Sequence, residues 1–187
     1  FTDILAFDEK TGKVSVAKTP STKEDQSEGF LEGILKTTQD LSLVSTIIHG
    51  TTVATNALLE RKGAKTGIIT TKGFRDVLEM RRRDRPKTWG LWGTFAPVVE
   101  RKNRLEVSER TLADGTIRVS VDEKEVENCA KILMENGCSA VCLFFINGYA
   151  NSENEKRAAK VLRSIWPNNH VSIATEILPE IREFERC

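Results

Sequence analysis

Histidine and aromatic side chains are scarce in this chain of 187 residues, which has two histidines, one tyrosine and 6% aromatics in all. Neither His49 nor His170 has a metal-ligand residue three or four positions on, so no histidine-built zinc centre is written here. The four cysteines, Cys129, Cys138, Cys142 and Cys187, are too few for a disulfide framework in a chain this long, and they read as buried structural thiols. Cys138 and Cys142 have a C-x3-C spacing, but no second Cys/His pair stands near enough to complete a tetrahedral site. An excess of charge is also missing. Lysine plus arginine number 28 and aspartate plus glutamate 27, a formal net charge of +1, so no whole-chain field draws this protein to nucleic acid or to anionic lipid. No apolar run approaches the ~18 residues that a membrane helix needs, and no basic segment followed by an apolar stretch opens the chain. These features predict a cytoplasmic protein. The start at Phe1 in place of methionine, and the stop at Cys187 after the run EIREFER, predict a piece of something longer.

What is present is core. Hydrophobic residues make up 39% of the chain, enough for one sizeable core or two small subdomains. Residues 3–7 (DILAF) and 13–18 (KVSVAK) alternate as strands around a turn ending in Gly12, a hairpin. Ser21 or Ser27 is then expected to cap a helix whose stripe is Phe30, Leu31, Ile34 and Leu35. Residues 45–49 (STIIH) read as a strand, residues 53–62 as a helix stopped by Gly63, 65–71 as a strand and 74–80 as a short helix. From 81 to 120 the chain reads as an inserted or loop-rich segment, basic at its start and broken by Pro86, Pro97 and glycines. Asp122 with Glu125 predicts a capping box for a helix with the stripe Val126, Ala130, Leu133 and Met134, ending at Gly137. Residues 140–146 (AVCLFFI) form a continuous apolar run, the mark of a strand buried on both faces. A helix over 152–165 and a strand over 170–174 follow. Helices returning between buried strands predict an α/β fold with parallel pairs, in a mixed sheet opened by the hairpin.

Chemistry concentrates at His49-Gly50-Thr51-Thr52-Val53-Ala54-Thr55-Asn56, where a predicted strand gives way at once to a helix. Free backbone N–H groups at such a helix start, with the positive end of its dipole, stabilise a phosphate or a developing oxyanion. Gly50 permits close backbone approach, and Thr51 and Thr52 add hydroxyl donors. The plainer reading is that Thr51 or Thr52 caps the helix and His49 is a hydrogen-bonded structural residue. The run Arg81-Arg82-Arg83-Asp84-Arg85-Pro86 with Trp89 and Trp92 admits three readings: a single-stranded nucleic-acid contact, a docked loop with buried tryptophans and paired arginines, or a cavity lining. The balanced charge favours the docked loop.

The string HGTTVATNALLERKGAKTGIITTKGFRDVLEMRRRDRP, with the opening FTDILAFDEKTGKVSVAKTPST and the closing ILPEIREFER, resembles the N-terminal region of the hydantoinase A and 5-oxoprolinase family, which also includes acetone and acetophenone carboxylases. The resemblance implies the N-terminal lobe of an actin-like, ribonuclease-H-type ATPase fold. It implies ATP with magnesium, and phosphorylation of a carbonyl oxygen that prepares a cyclic amide for hydrolysis or a ketone for carboxylation. Thr2 and Asp3 match the end of a glycine-rich phosphate loop and, with Gly50, are expected at the nucleotide. His49, Thr51, Thr52 and Asn56 are expected beside the substrate or the transferred phosphoryl group, and a partner subunit of hydantoinase B type is implied. A chain lacking the rest of that loop is expected to be inactive by itself. The alternatives are a subunit of a ketone carboxylase of the same family, or a subunit-binding module with no activity of its own.

Overall fold

The structure is a computed structural model that describes residues 1–22, 24–38, 40–82, 89, 93 and 95–187. The chain divides into two compact units, Phe1–Thr52 and Val53–Cys187.

In the first unit, β1 (Thr2–Phe7) and β2 (Val14–Thr19) pair antiparallel, with Thr2 opposite Thr19 and Phe7 opposite Val14. Asp8 organises the turn: its carboxylate accepts from the Lys10 N–H at 2.9 Å and the Thr11 hydroxyl at 2.7 Å, and these bonds hold its pKa below the usual carboxylate value. Helix α1 (Gln26–Thr37) is capped by Asp25, not by Ser21 or Ser27. Asp25 Oδ1 accepts from both the backbone N–H of Ser27 at 2.9 Å and its hydroxyl at 2.6 Å, and a charged oxygen is the stronger acceptor for both. The predicted stripe is also displaced, because Leu31 and Leu35 are exposed while Gly29, Gly33 and Ile34 are buried. Glycine faces the hairpin because the backbones approach closely. A β-carbon on Gly33 would stand 2.5 Å from Ile4 Cγ1.

Residues 45–49 form no strand, and Ile48 is 94% exposed. Apolar alternation makes a segment capable of strand geometry, but a strand exists only where a neighbour takes up its N–H and C=O groups, and no described residue pairs with this one.

The second unit opens with α2 (Val53–Glu60) and continues through β3 (Thr66–Thr71), α3 (Val77–Met80) and β4 (Arg104–Val107). A small antiparallel ladder, β5 (Arg110–Thr111) and β6 (Ile117–Val119), precedes α4 (Glu123–Glu135). Then come β7 (Ala140–Phe144), α5 (Glu153–Ile165), β8 (Val171–Ile173), α6 (Ala174–Ile177) and α7 (Glu183–Arg186). Four strands make a parallel sheet in the order β4-β3-β7-β8. The architecture is α/β as predicted, but the parallel strands and the antiparallel pairs occupy separate sheets, so the expected mixed sheet does not form among the described residues. The polar stretch from 81 to 120 is not all loop, since it contributes the edge strand β4.

Alternation sorts the β7 run onto two faces. Val141, Leu143 and Phe145 enter the main core with Ile69, Val107, Leu133, Leu162 and Ile173, under α4 and α5. Phe144 and Ile146 join Ala174, Phe74, Val77 and Cys187 on the opposite face. A continuous apolar run is what a two-sided environment demands. Two predicted helix ends need correction. Asp122 does cap α4, but Glu125 does not close a capping box; it accepts instead from the Ser108 N–H and hydroxyl, a charge-assisted pair that ties α4 to the end of β4. Helix α2 ends at Glu60, with Arg61 following at φ 52°, and not at Gly63.

The Gly33 approach sets a sign. Alanine in a helix is ordinarily better than glycine by about 0.5–1 kcal/mol, whereas overpacking costs about 1–3 kcal/mol. With Ile4 at 2.5 Å the second effect wins. Gly33→Ala should lower the thermal unfolding midpoint by about 2–4 °C, and an unchanged or raised midpoint would show that α1 can back away from the hairpin.

Candidate functional site

The motif singled out by sequence lies on the surface. His49, Gly50, Thr51, Thr52, Val53, Ala54, Thr55 and Asn56 are all exposed, and the boundary between the two units falls inside the motif, after Thr52. His49 follows an irregular segment instead of ending a strand, and its ring packs 5.0 Å from that of Phe30, tilted by 52°. Around Gly50 no atom of the described residues, its chain neighbours aside, lies within 4 Å of the place a β-carbon would take, so their packing does not require glycine there. Val53 begins α2, and Asn56 sits in its first turn. Thr2 and Asp3 open β1: the Thr2 hydroxyl shares a hydrogen bond of 3.0 Å with that of Ser21, and the Asp3 carboxylate meets Lys18 Nζ at 3.3 Å across the hairpin. Asp3 and Lys18 are a directly opposed pair on the open face of the ladder, and as an exposed ion pair it is worth little to stability. The first unit thus brings Thr2 and Asp3 together, and holds His49, Gly50, Thr51 and Thr52 on the segment that leads out of it; Asn56 belongs to the second unit.

A second place where chemistry gathers is one that sequence reasoning missed. At the C-terminal ends of β3 and β7, Thr71, Glu109, Asn154 and Glu155 are each 4% exposed or less. The strand order turns back here, since β3 connects through α3 to β4 on one side and the chain then crosses to β7 on the other, and such switch points commonly open a crevice. In this chain the crevice is filled from within. Thr71 accepts from the Ile146 N–H at 3.0 Å and donates its own proton to Glu109 Oε1. Asn154 Nδ2 donates to Glu109 Oε2 at 2.8 Å. Glu155 accepts from the Phe145 N–H at 2.9 Å and the Thr175 N–H at 3.2 Å. Burial raises the pKa of both carboxyls above the ordinary value of 4.5, against the pull of these hydrogen bonds. Every carboxylate oxygen is engaged with the chain itself, which marks a structural polar core. Glu155 is hidden from a sequence reader because an acid in the first turn of a helix is expected there on dipole grounds. Glu109 is hidden because it follows β4 in a stretch whose composition resembles loop.

Of the basic and aromatic run, Arg83, Asp84, Arg85, Pro86 and Trp92 lie outside the described residues. Trp89 is 87% exposed, which departs from the expected burial, whereas Arg82 pairs with Glu185 as a docked loop would have it. Arg81 lies 3.7 Å from the centre of the Phe95 ring and 5.9 Å from that of Phe184. The four cysteines are free; Cys129 and Cys138 are buried, and Cys142 and Cys187 are half-buried. Burial pushes the Cys129 and Cys142 thiols up to about 11 and Cys187 up to about 12, so they stay protonated and structural at neutral pH. Among the described residues no group of three or more His, Cys, Asp or Glu side chains is placed to hold a metal ion, and no helix is long and apolar enough to cross a membrane.

The hairpin, the parallel sheet and the helices on its faces define an α/β fold that is also found in ATP-dependent enzymes. Acetone carboxylase in its nucleotide-free structure matches with a TM-score of 0.85 at 22% identity over 98% of this chain and 29% of that one. The crystal structure of ATP-dependent caprolactamase from Pseudomonas jessenii matches with a TM-score of 0.81 at 30% identity over 100% of this chain and 28% of that one. The chain belongs to the hydantoinase/oxoprolinase N-terminal region family, whose profile matches residues 1–166. The alpha subunit of P. jessenii caprolactamase is 30% identical over all of this chain, and the gamma subunit of acetophenone carboxylase from Aromatoleum aromaticum is 28% identical over all of it. The chain spans 28% of the length of each of these two relatives.

The buried carboxyls make stability depend on pH. A carboxyl whose folded pKa is raised binds its proton more tightly in the native state, so its contribution is full below about 4.5 and is lost as pH rises through the raised value. Glu109→Gln removes one such titration. Chemical denaturation of wild type and variant at about pH 5 and about pH 8 should show the wild type losing ground to the variant at the higher pH, whatever their constant offset; parallel stabilities would mean that Glu109 does not titrate between them.

Proposed function

We propose that this chain is the N-terminal part of an ATP-dependent, cytoplasmic enzyme that phosphorylates the carbonyl oxygen of a cyclic amide to prepare it for hydrolysis, within the N-terminal lobe of an actin-like ATPase. The observation that carries the reading is the motif from His49 to Asn56, which is exposed along its whole length at the start of α2. Its composition serves no core: two threonines and a glycine lead into a helix start, where backbone N–H groups and the positive dipole end favour an anion. Membership of the hydantoinase/oxoprolinase family and likeness to an ATP-dependent caprolactamase support the reaction class. Four free cysteines suit a reducing compartment.

The residues present fit a nucleotide with magnesium in kind. Asp3 and Thr2 offer hard oxygen donors on an open strand edge, and Gly50 has clear space for backbone approach. When bound, ATP supplies the phosphoryl group that makes the amide carbon electrophilic. The chain's part is then positioning and charge stabilisation, which dominate phosphoryl transfer. Thr2, Asp3 and Gly50 hold the phosphate end; the Thr51 and Thr52 hydroxyls donate to oxygen that gains negative charge; Asn56 makes a polar contact from the helix; His49 serves as donor or proton carrier at the same oxygen. A partner subunit of hydantoinase B type completes the pocket, in keeping with relatives that are themselves named as subunits. The likeness to an acetophenone carboxylase subunit supports a second reading, in which phosphorylation of a ketone's enolate oxygen prepares the adjacent carbon for carboxylation, with release of phosphate.

The test uses the full-length protein with its partner subunit. ADP release should depend on one member of a panel of 5-oxoproline, hydantoin, caprolactam and acetophenone with bicarbonate. Thr51→Val with Thr52→Val should reduce that turnover by about a hundredfold while leaving the fold intact. Turnover unchanged by the double substitution would remove the threonines from the mechanism, and ADP release independent of every cyclic amide and ketone would overturn the reading.

A further inference from the structure

Helix α2 carries the end of the motif, yet among the described residues none of its own is buried, and Val53, Leu58 and Leu59 are exposed. Apolar burial therefore contributes little to fixing its direction, and polar contacts weigh more. Arg61, the residue after its last turn, reaches across to the segment beyond the basic run: Nη2 donates to the Ala96 carbonyl at 2.7 Å and Nη1 to the Pro97 carbonyl at 3.1 Å. A planar fork on two successive carbonyls fixes orientation as well as distance, which the point charge of a lysine does not. The segment so gripped is itself anchored, because Phe95 lies against the Arg81 guanidinium, which also faces Phe184 of α7.

The backbone adds an independent observation. Arg61 takes φ 52°, the left-handed conformation that ends a helix most easily as glycine, while Gly63, two residues on, does not have a positive φ. Placing a β-carbon at the left-handed position is unfavourable, and such a residue persists where its side chain is needed. We infer that Arg61 is a positioning residue: its clamp on Ala96 and Pro97 sets where α2 points and so where Asn56 and the helix start stand. The inference rests on the proposed function only in assigning α2 to the reaction; the clamp itself is geometry within the second unit.

The experiment compares Arg61→Gly, Arg61→Asn and Arg61→Lys in the full-length protein with its partner subunit. Glycine relieves the left-handed strain and asparagine tolerates it, so their unfolding midpoints should hold or rise, while amide exchange in residues 53–60 and 95–98 quickens by at least tenfold. Turnover number should fall at least tenfold in all three with the KM for ATP little changed, and lysine should fail to rescue it. Unchanged exchange in Arg61→Gly would overturn the clamp. Faster exchange with full turnover would overturn its role in the reaction. A wild type without cyclic-amide- or ketone-dependent turnover would overturn the proposed function, and exchange alone would then decide the clamp.

Discussion

The C-terminal end of β7 is the point on which the second unit depends. Three successive backbone N–H groups leave the sheet there, and each finds a side chain from a different element: Phe145 donates to Glu155 of α5, Ile146 to Thr71 of β3, and Asn147 to Glu183 of α7. The Phe145 carbonyl accepts from Arg186. The bonds of Phe145 and Ile146 are buried, where water does not stand in for the partner, and a buried amide left without one costs about 1–3 kcal/mol. Charged residues therefore sit in a core they would otherwise leave, and Glu109 and Glu155 pay with raised pKa values.

This requirement explains why the switch point of the sheet is closed. In many open α/β sheets the crevice beyond the strand ends receives a ligand. Here the groups that could line it are spent on the chain's own amides and on one another, Thr71 with Glu109 and Glu109 with Asn154. The segment from His49 to Asn56, in contrast, is exposed along its whole length. The same contrast separates the two faces of the hairpin, where Ile4 and Thr19 are buried near α1 while Asp3 and Lys18 pair across the open face.

Helix α2 connects these themes. It is short, its Val53, Leu58 and Leu59 are exposed, and the Arg61 side chain just beyond its end donates to the backbone carbonyls of Ala96 and Pro97. Helices α4 and α5, with Leu133 and Leu162 fully buried, are held largely by summed apolar packing.

Local spacing by itself determined much of this protein. The apolar run at 140–146, the stripe of Val126, Ala130 and Leu133, and the alternation of the hairpin specified their elements because side-chain period is a property of the chain. The motif HGTTVATN carries a legible family resemblance because its residues are contiguous. What only the tertiary structure decided depends on partners far apart in sequence. Residues 45–49 are strand-like in pattern and unpaired among the described residues; Glu125 leaves its own helix start for Ser108, 17 positions away. Glu155 looks like an ordinary first-turn acid until Phe145 and Thr175 are seen to need it. Arg61 reads as one more helix residue until Ala96 and Pro97, 35 and 36 positions on, arrive at its guanidinium. Spacing tells which residues share a face; only the folded chain supplies the donor or acceptor that meets them.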